Sequence, residues 1–195
     1  MINEPYIVIV GAGIVGLSTA MHLAQAKAGK VLVLETEKDV AEHQTGNNSG
    51  VIHSGLYYKP GSAKAKNCAE GREAMYDFCK EYGIAHDRCG KIVVATHPDE
   101  LPRMAELEKR GLANGLTGIK QLSKEELKDY EPHVAGIAGL FVPQTGIVNY
   151  KDVCKVYQRL ITESEGEVRL ETKFIACKRD TNGLAIETHQ GKIHA

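Results

Sequence analysis

The sequence carries no excess of either charge: 24 Lys and Arg stand against 25 Asp and Glu, for a net of −1. Without a global basic field, nucleic-acid binding is excluded as a main activity, and any anion site has to be local. Paired cysteines are also missing. The five present (Cys68, Cys79, Cys89, Cys154, Cys177) are scattered, with no C-x-x-C among them. An odd number at such spacings excludes a disulfide framework and a zinc site, so no bound metal is expected. Reduced thiols in the cytoplasm fit this usage. Internal repeats and low-complexity tracts are absent too. What remains is ordinary globular composition, 195 residues of which 43% are hydrophobic and 25% charged, enough for one domain or two small ones.

Only Tyr6 to Leu23 is apolar for about the length of a membrane span. Glu4 precedes it where a signal segment would carry positive charge, and three glycines interrupt it at fixed spacing. Ile7-Val8-Ile9-Val10 is β-branched, whereas Ser18 to Ala28 reads as a helix. A strand, a tight turn and a helix account for the run better than a span does. Val31-Leu32-Val33-Leu34 then suits a strand buried on both faces of a parallel sheet.

The polar stretch from Thr36 to Gly55 reads as a long loop, a kind that is usually functional or disordered. Ser62 can cap a helix that carries Ala65, Ala69, Tyr76 and Cys79 and stops at Gly83. Lys91 to Ala95 reads as a strand, and Asp99 to Asn114 and Ser123 to Tyr130 as helices, the second with Ser123 and Glu126 in capping-box register. Leu140 to Val142 is a further strand. Asn149 can cap a helix with Val153, Val156, Leu160 and Ile161 on one face, closing near Gly166. Val168-Arg169-Leu170 and the alternating stretches to Ile193 read as a small meander.

The strongest motif is Gly11-Ala12-Gly13-Ile14-Val15-Gly16. A phosphate-binding turn needs its first glycine for the bend, its second for the approach of a pyrophosphate, and its third for helix–strand packing. The helix start then offers free N–H groups and a positive dipole end to an anion. Context raises the motif above a bare pattern. It follows a strand and opens a helix, and the next strand ends in Glu35, near the ~20-residue separation of a ribose-binding carboxylate. Glu35 would repel a 2′-phosphate, which disfavours NADP and leaves FAD and NAD open. A single fingerprint without a redox dithiol argues against a disulfide reductase.

A second constellation runs from Thr45 to Gly55, with three glycines and a series of small hydrogen-bonding side chains. Such a stretch could turn backbone N–H groups toward a pyrophosphate or a flavin ring. Composition alone favours a solvated loop. His53, taken alone, is the type of residue that more often serves structure than catalysis. Lys59, Lys64, Lys66 and Arg72 are cations that could anchor a dicarboxylate, although Lys64 and Lys66 suit a solvated helix face better.

The segment Gln44-Thr45-Gly46-Asn47-Asn48-Ser49-Gly50-Val51-Ile52-His53-Ser54-Gly55-Leu56-Tyr57-Tyr58-Lys59-Pro60-Gly61 closely resembles the L-2-hydroxyglutarate oxidases and dehydrogenases. These form a branch of the FAD-dependent family that includes D-amino-acid, glycine and sarcosine oxidases. Cys89 to Ala95 and Thr145 to Tyr150 resemble further family blocks. The resemblance implies an α/β fold. It would comprise a Rossmann-like FAD-binding domain with a parallel sheet and β-meander, plus part of an inserted α+β substrate domain. The expected boundaries are 1–85 and 149–195 for the FAD-binding part and 86–148 for the substrate part.

It also implies that Gly11, Gly13, Gly16 and Glu35 hold the ADP half of FAD. Thr45, Asn47, Asn48, Ser49 and Gly50 would lie against pyrophosphate and flavin, His53 near the ring, and Tyr58 and Lys59 toward the substrate. Asn47 stands where some relatives have a histidine. The implied reaction is oxidation of a small 2-hydroxy dicarboxylate, L-2-hydroxyglutarate, to 2-oxoglutarate. His53 would be the base or the partner of a developing alkoxide, and oxygen or quinone the electron acceptor. The expected setting is the cytoplasm, with peripheral association on the inner face of a membrane also allowed for a full-length enzyme. Family members have a second half with further flavin contacts, so the chain reads as an N-terminal half, inactive alone. Alternatives are an oxidase of another 2-hydroxy or 2-amino acid, a nicotinamide-dependent dehydrogenase, and an inactive dinucleotide-binding fragment.

Overall fold

The β-branched run that opens the chain is extended, and the glycines after it lead directly into a helix. In a computed structural model, which describes residues 6–181 and 183–195, β1 (Tyr6–Val10) precedes α1 (Ile14–Gln25) and β2 (Lys30–Leu34). Next come β3 (Val51–Ile52), α2 (Ala63–Glu81), β4 (His86–Asp87), β5 (Lys91–Ala95), a 3₁₀ turn (Pro98–Glu100) and α3 (Leu101–Ala113). The chain continues through β6 (Lys120–Ser123), α4 (Leu127–Tyr130), β7 (Ala138–Val142), β8 (Gly146–Val148) and α5 (Tyr150–Glu163). β9 (Glu167–Arg169), β10 (Phe174–Asp180), β11 (Gly183–Thr188) and β12 (Gly191–His194) follow. Among the described residues no helix is long and apolar enough to cross a membrane.

These elements form two compact units. One comprises the segments before Gly50 and after Val148, and the other comprises Gly50–Val148. Residues 50–85, grouped with the FAD-binding part on sequence grounds, therefore pack within the second unit.

In the first unit β1, β2 and β9 form a parallel sheet with β2 in the middle, paired Tyr6↔Lys30 and Leu32↔Glu167 at its two edges. Val31 to Leu34 are all buried, as a central strand covered on both faces requires. Side chains alternate across a strand. Leu32 and Leu34 pack with Ile186, Phe174 and Ile193 of an antiparallel meander, β10-β11-β12. α1 and α5 pack together and make the other layer, α1 against β2 and α5 against β9. Asn149 caps α5, its side chain accepting the Lys151 N–H, and Val153, Cys154, Tyr157, Leu160 and Ile161 form the buried stripe. The expected Rossmann-like layer with a meander is present.

Two details differ from the sequence reading. Residues 168–170 do not belong to the meander, because the strand that follows α5 returns as a crossover and pairs parallel with β2. α1 also begins four residues earlier than its apolar spacing suggests, so Gly16 lies inside the helix as part of the glycine turn.

The second unit holds two antiparallel sheets, β3-β8-β4 and β5-β7-β6. Ser62 caps α2 by accepting the Ala65 N–H at 3.2 Å. Gly83, at φ +68, ends it, since only glycine takes that backbone angle without strain. The expected helix over 123–130 is shorter. Residues 120–123 are drawn into pairing with β7, which overrides their local preference, and helix forms only from Leu127. The capping pair survives at the corner: Glu126 accepts the Ser123 N–H at 2.7 Å and Ser123 accepts the Glu126 N–H at 3.2 Å.

Leu127 is fully buried over Gly139 of β7, where a Cβ would stand 2.6 Å from its Cδ2. Leu127→Ala is expected to destabilise this unit by about 2–5 kcal/mol, the usual cost of a leucine-sized core cavity. Urea unfolding followed by circular dichroism measures it, and a loss below about 1 kcal/mol would show that the segment is not part of the core.

Candidate functional site

The glycine turn is tightly packed on one side and open on the other. Gly11 sits at φ +100, and a Cβ placed there would meet nothing within 4 Å, so the turn is open on that side. Gly13 precedes α1, which has no side-chain cap and no acidic residue in its first turn. A helix start whose own N-cap is a glycine, beside an open glycine face, can receive an anion at its positive end. Gly16 packs against the turn itself, because a Cβ on it would lie 2.1 Å from the Gly11 carbonyl oxygen.

Glu35 is buried directly behind this turn. One carboxylate oxygen accepts the Ala12 N–H at 2.6 Å and the other accepts the Glu37 N–H at 3.0 Å. Its backbone is locked as well, donating to the Arg169 carbonyl at 2.9 Å and accepting from Thr172 at 2.6 Å. The carboxylate at the end of β2 is thus joined to the glycine turn.

The segment after Glu35 folds back on the same turn. The Ala41 N–H donates to the Ala12 carbonyl at 3.0 Å, and Thr45 Oγ1 accepts the Ile14 N–H at 3.1 Å. Gly11, Gly13, Gly16, Glu35 and Thr45 therefore come together. Asn47 and Asn48 shape the loop that brings Thr45 there. The Asn47 amide donates to the Glu42 and His43 carbonyls at 3.0 and 2.8 Å, and the Asn48 amide to the Thr45 carbonyl at 2.5 Å. Ser49 is exposed. Lys151 at the start of α5 steadies the loop through Glu42 at 3.2 Å, a link that residue types alone do not reveal.

The remaining candidates belong to the second unit. Gly50 takes φ +68, and a Cβ on it would be 2.8 Å from the Val148 carbonyl oxygen. The β3–β8 ladder ends at Ile52, and His53 follows it with an exposed side chain. Tyr58 and Lys59 lie on the exposed loop beyond. That loop is held by a residue the sequence reading did not single out: the Asn114 amide donates to the Gly55 and Tyr58 carbonyls at 3.0 and 2.9 Å. Lys91 lies over the Tyr57 ring, 4.4 Å from its centre. Among the described residues no three His, Cys, Asp or Glu side chains are grouped to hold a metal ion.

Residues 6–195 match the family described as FAD dependent oxidoreductase. The chain belongs to the FAD dependent oxidoreductase family. Within it, the chain is 48% identical over 188 residues to an L-2-hydroxyglutarate dehydrogenase of Indibacter alkaliphilus, covering 96% of this chain and 47% of the relative. It is 42% identical over 190 residues to the human mitochondrial L-2-hydroxyglutarate dehydrogenase, covering 96% of this chain and 41% of that protein. It thus spans about half the length of the curated relatives it matches.

Its fold matches that of a Mycoplasma pneumoniae L-alpha-glycerophosphate oxidase with FAD bound. The TM-score is 0.87 at 24% identity, over 98% of this chain and 51% of the other. A Geobacillus kaustophilus glycine oxidase gives a TM-score of 0.86 at 18% identity, over 98% of this chain and 53% of the other.

In this family member the three glycines are not equivalent. Gly16→Ala is expected to cost about 1–3 kcal/mol, because the new methyl group meets backbone on a helix that cannot move alone. Gly13→Ala should cost less than about 1 kcal/mol. Its Cβ would be 3.3 Å from Thr45 Oγ1, a side-chain atom that can give way. Thermal unfolding of both variants checks the ranking, and equal losses would refute it.

Proposed function

We propose that the full-length protein carrying this chain oxidises L-2-hydroxyglutarate to 2-oxoglutarate, with FAD as cofactor and oxygen or a quinone as electron acceptor. It would do so in the cytoplasm or peripherally on the inner face of a membrane. The observation that carries the proposal is the 48% identity to an L-2-hydroxyglutarate dehydrogenase over almost the whole of this chain. Fold likeness alone would leave the substrate undecided, since one fold hosts many chemistries.

In this reading Gly11, Gly13 and Gly16 bring the start of α1 up to the FAD pyrophosphate. Glu35 takes the ribose hydroxyls with the lone pairs not already given to Ala12 and Glu37. Thr45, Asn47, Asn48, Ser49 and Gly50 line the cofactor beyond the pyrophosphate. Bound FAD supplies the acceptor for the hydride that leaves C2. The chain's own part is the proton: His53 accepts it from the C2 hydroxyl as the carbonyl forms, and an imidazole can take and return a proton near neutral pH. Lys59 gives a carboxylate of the substrate a cationic partner, and Tyr58 a hydroxyl donor. Segments 1–85 and 149–195 would serve the cofactor and 86–148 the substrate.

In the full-length enzyme His53→Ala is expected to lower kcat on L-2-hydroxyglutarate by about a hundredfold or more, the scale of general-base catalysis, while FAD stays bound. Reduction of an electron-accepting dye, together with the flavin-to-protein ratio, measures both. Unchanged kcat with flavin in place would remove His53 from the mechanism. Turnover of another 2-hydroxy or 2-amino acid in place of L-2-hydroxyglutarate would sink the substrate assignment.

A further inference from the structure

His53 and Ser54 lie just past the end of the β3–β8 ladder, so their carbonyls have no strand partner. Ser54 is buried, and a buried carbonyl without a donor is costly. α2 supplies the donors. Cys68 Sγ donates to the His53 carbonyl at 3.3 Å, and Arg72 Nη1 donates to the Ser54 carbonyl at 2.7 Å. One turn further on, the Tyr76 hydroxyl donates to the Gln144 carbonyl at 3.3 Å. Cys68, Arg72 and Tyr76 are four residues apart, a spacing that puts them on one face of the helix. This face is core-facing yet built from donors, and it holds the point where His53 leaves the sheet.

Arg72 is the unusual member. Its side chain is only 8% exposed, and a buried cation persists only when paired and hydrogen-bonded. Its Nε reaches Glu73 Oε1 at 2.7 Å, and Glu73 is held in turn by Arg88 at 3.0 Å. Burial alone would raise the Glu73 carboxyl, but hydrogen bonds and charge from Arg72 and Arg88 outweigh it and hold it below the ordinary carboxylate value. With Nε and Nη1 both engaged inside the unit, Arg72 is poorly placed to anchor a substrate carboxylate. Burial raises the Cys68 thiol, which the nearby Arg72 charge only partly offsets, so it remains an S–H donor.

We infer that Arg72 is a positioning residue for His53, acting through the His53–Ser54 backbone and not by touching substrate. Together with Cys68 it fixes two successive peptide planes and thereby the direction in which the exposed imidazole leaves the chain. Asn114 continues the same restraint at Gly55 and Tyr58. The inference rests on the proposed role of His53 as base.

The test is a double-mutant cycle in the full-length, FAD-loaded enzyme, with kcat and KM measured on L-2-hydroxyglutarate. Arg72→Met, close to arginine in length, is expected to lower kcat between about tenfold and a hundredfold, since small misplacements of a reacting group cost that much. KM should stay within about threefold, because no substrate contact is lost. Arg72→Lys should recover part of the loss, as it keeps the charge but not the fork that reaches Glu73 and Ser54 together. In a His53→Ala background, Arg72→Met should change kcat by less than about twofold, the mark of two residues acting as one unit.

The same factor in both backgrounds, or a raised KM at constant kcat, would overturn the inference. If Arg72→Met does not fold, Cys68→Ala runs the same cycle while leaving the Arg72–Glu73–Arg88 charges in place. If His53→Ala itself leaves turnover intact, the reading of His53 fails, and hydrogen exchange of amides 51–58 decides the restraint separately. Arg72→Met, Arg72→Lys or Cys68→Ala should speed that exchange about tenfold or more, and unchanged exchange would overturn the restraint as well.

Discussion

Helix α1 comes so close to the end of β1 that a Cβ on Gly16 would lie 2.1 Å from the Gly11 carbonyl oxygen. Much of the first unit follows from that approach. It lets the helix start at the turn, so that its positive end and the open Gly11 face share one place. It also puts the Ala12 N–H within 2.6 Å of the Glu35 carboxylate, which lies at the end of the central strand. Ala12 then accepts from Ala41, and Ile14 donates to Thr45, so the loop after β2 is measured off against the same turn. A methyl group at position 16 would disturb helix, carboxylate and loop together.

The second unit solves a different problem by different means. Its loop after β3 leaves the ladder while still buried at Ser54, so regular backbone pairing cannot satisfy it. Side chains take over: a thiol, a guanidinium and an amide hold the carbonyls of His53, Ser54, Gly55 and Tyr58. A loop held in this way can present an exposed histidine in a defined direction without any strand beneath it. The arrangement needs a charged residue in the interior, and the Glu73–Arg88 pair makes that residue tolerable.

What was legible in the sequence has a physical pattern. β2 announced itself through four consecutive apolar residues, α2 and α5 through their caps at Ser62 and Asn149, and the turn through glycines whose roles are steric. These signals are local. β6 was not legible, because Lys-Gln-Leu-Ser has no strand pattern and becomes a strand only by pairing with β7. β9 was legible as a strand but not in its direction, which depends on the crossover through α5. Asn47 and Asn48 were legible as members of a run of hydrogen-bonding side chains, but not the loop carbonyls that their amides meet, which depend on how the loop folds back on itself. Arg72 was hardest to place, because a charge on a helix normally marks the solvent face. Here it lies four residues before Tyr76 on the buried one.

The two units also differ in what sequence identity can say about them. The contacts of the first unit are made mainly by backbone, glycine and one carboxylate, so many sequences can satisfy them. The loop from His53 to Lys59 depends instead on particular side chains in α2 and at the end of α3, each of which has to keep its donor. Identity close to one residue in two is therefore more informative about substrate than the fold is. At that level the side-chain holders of the loop can persist together with the loop they hold.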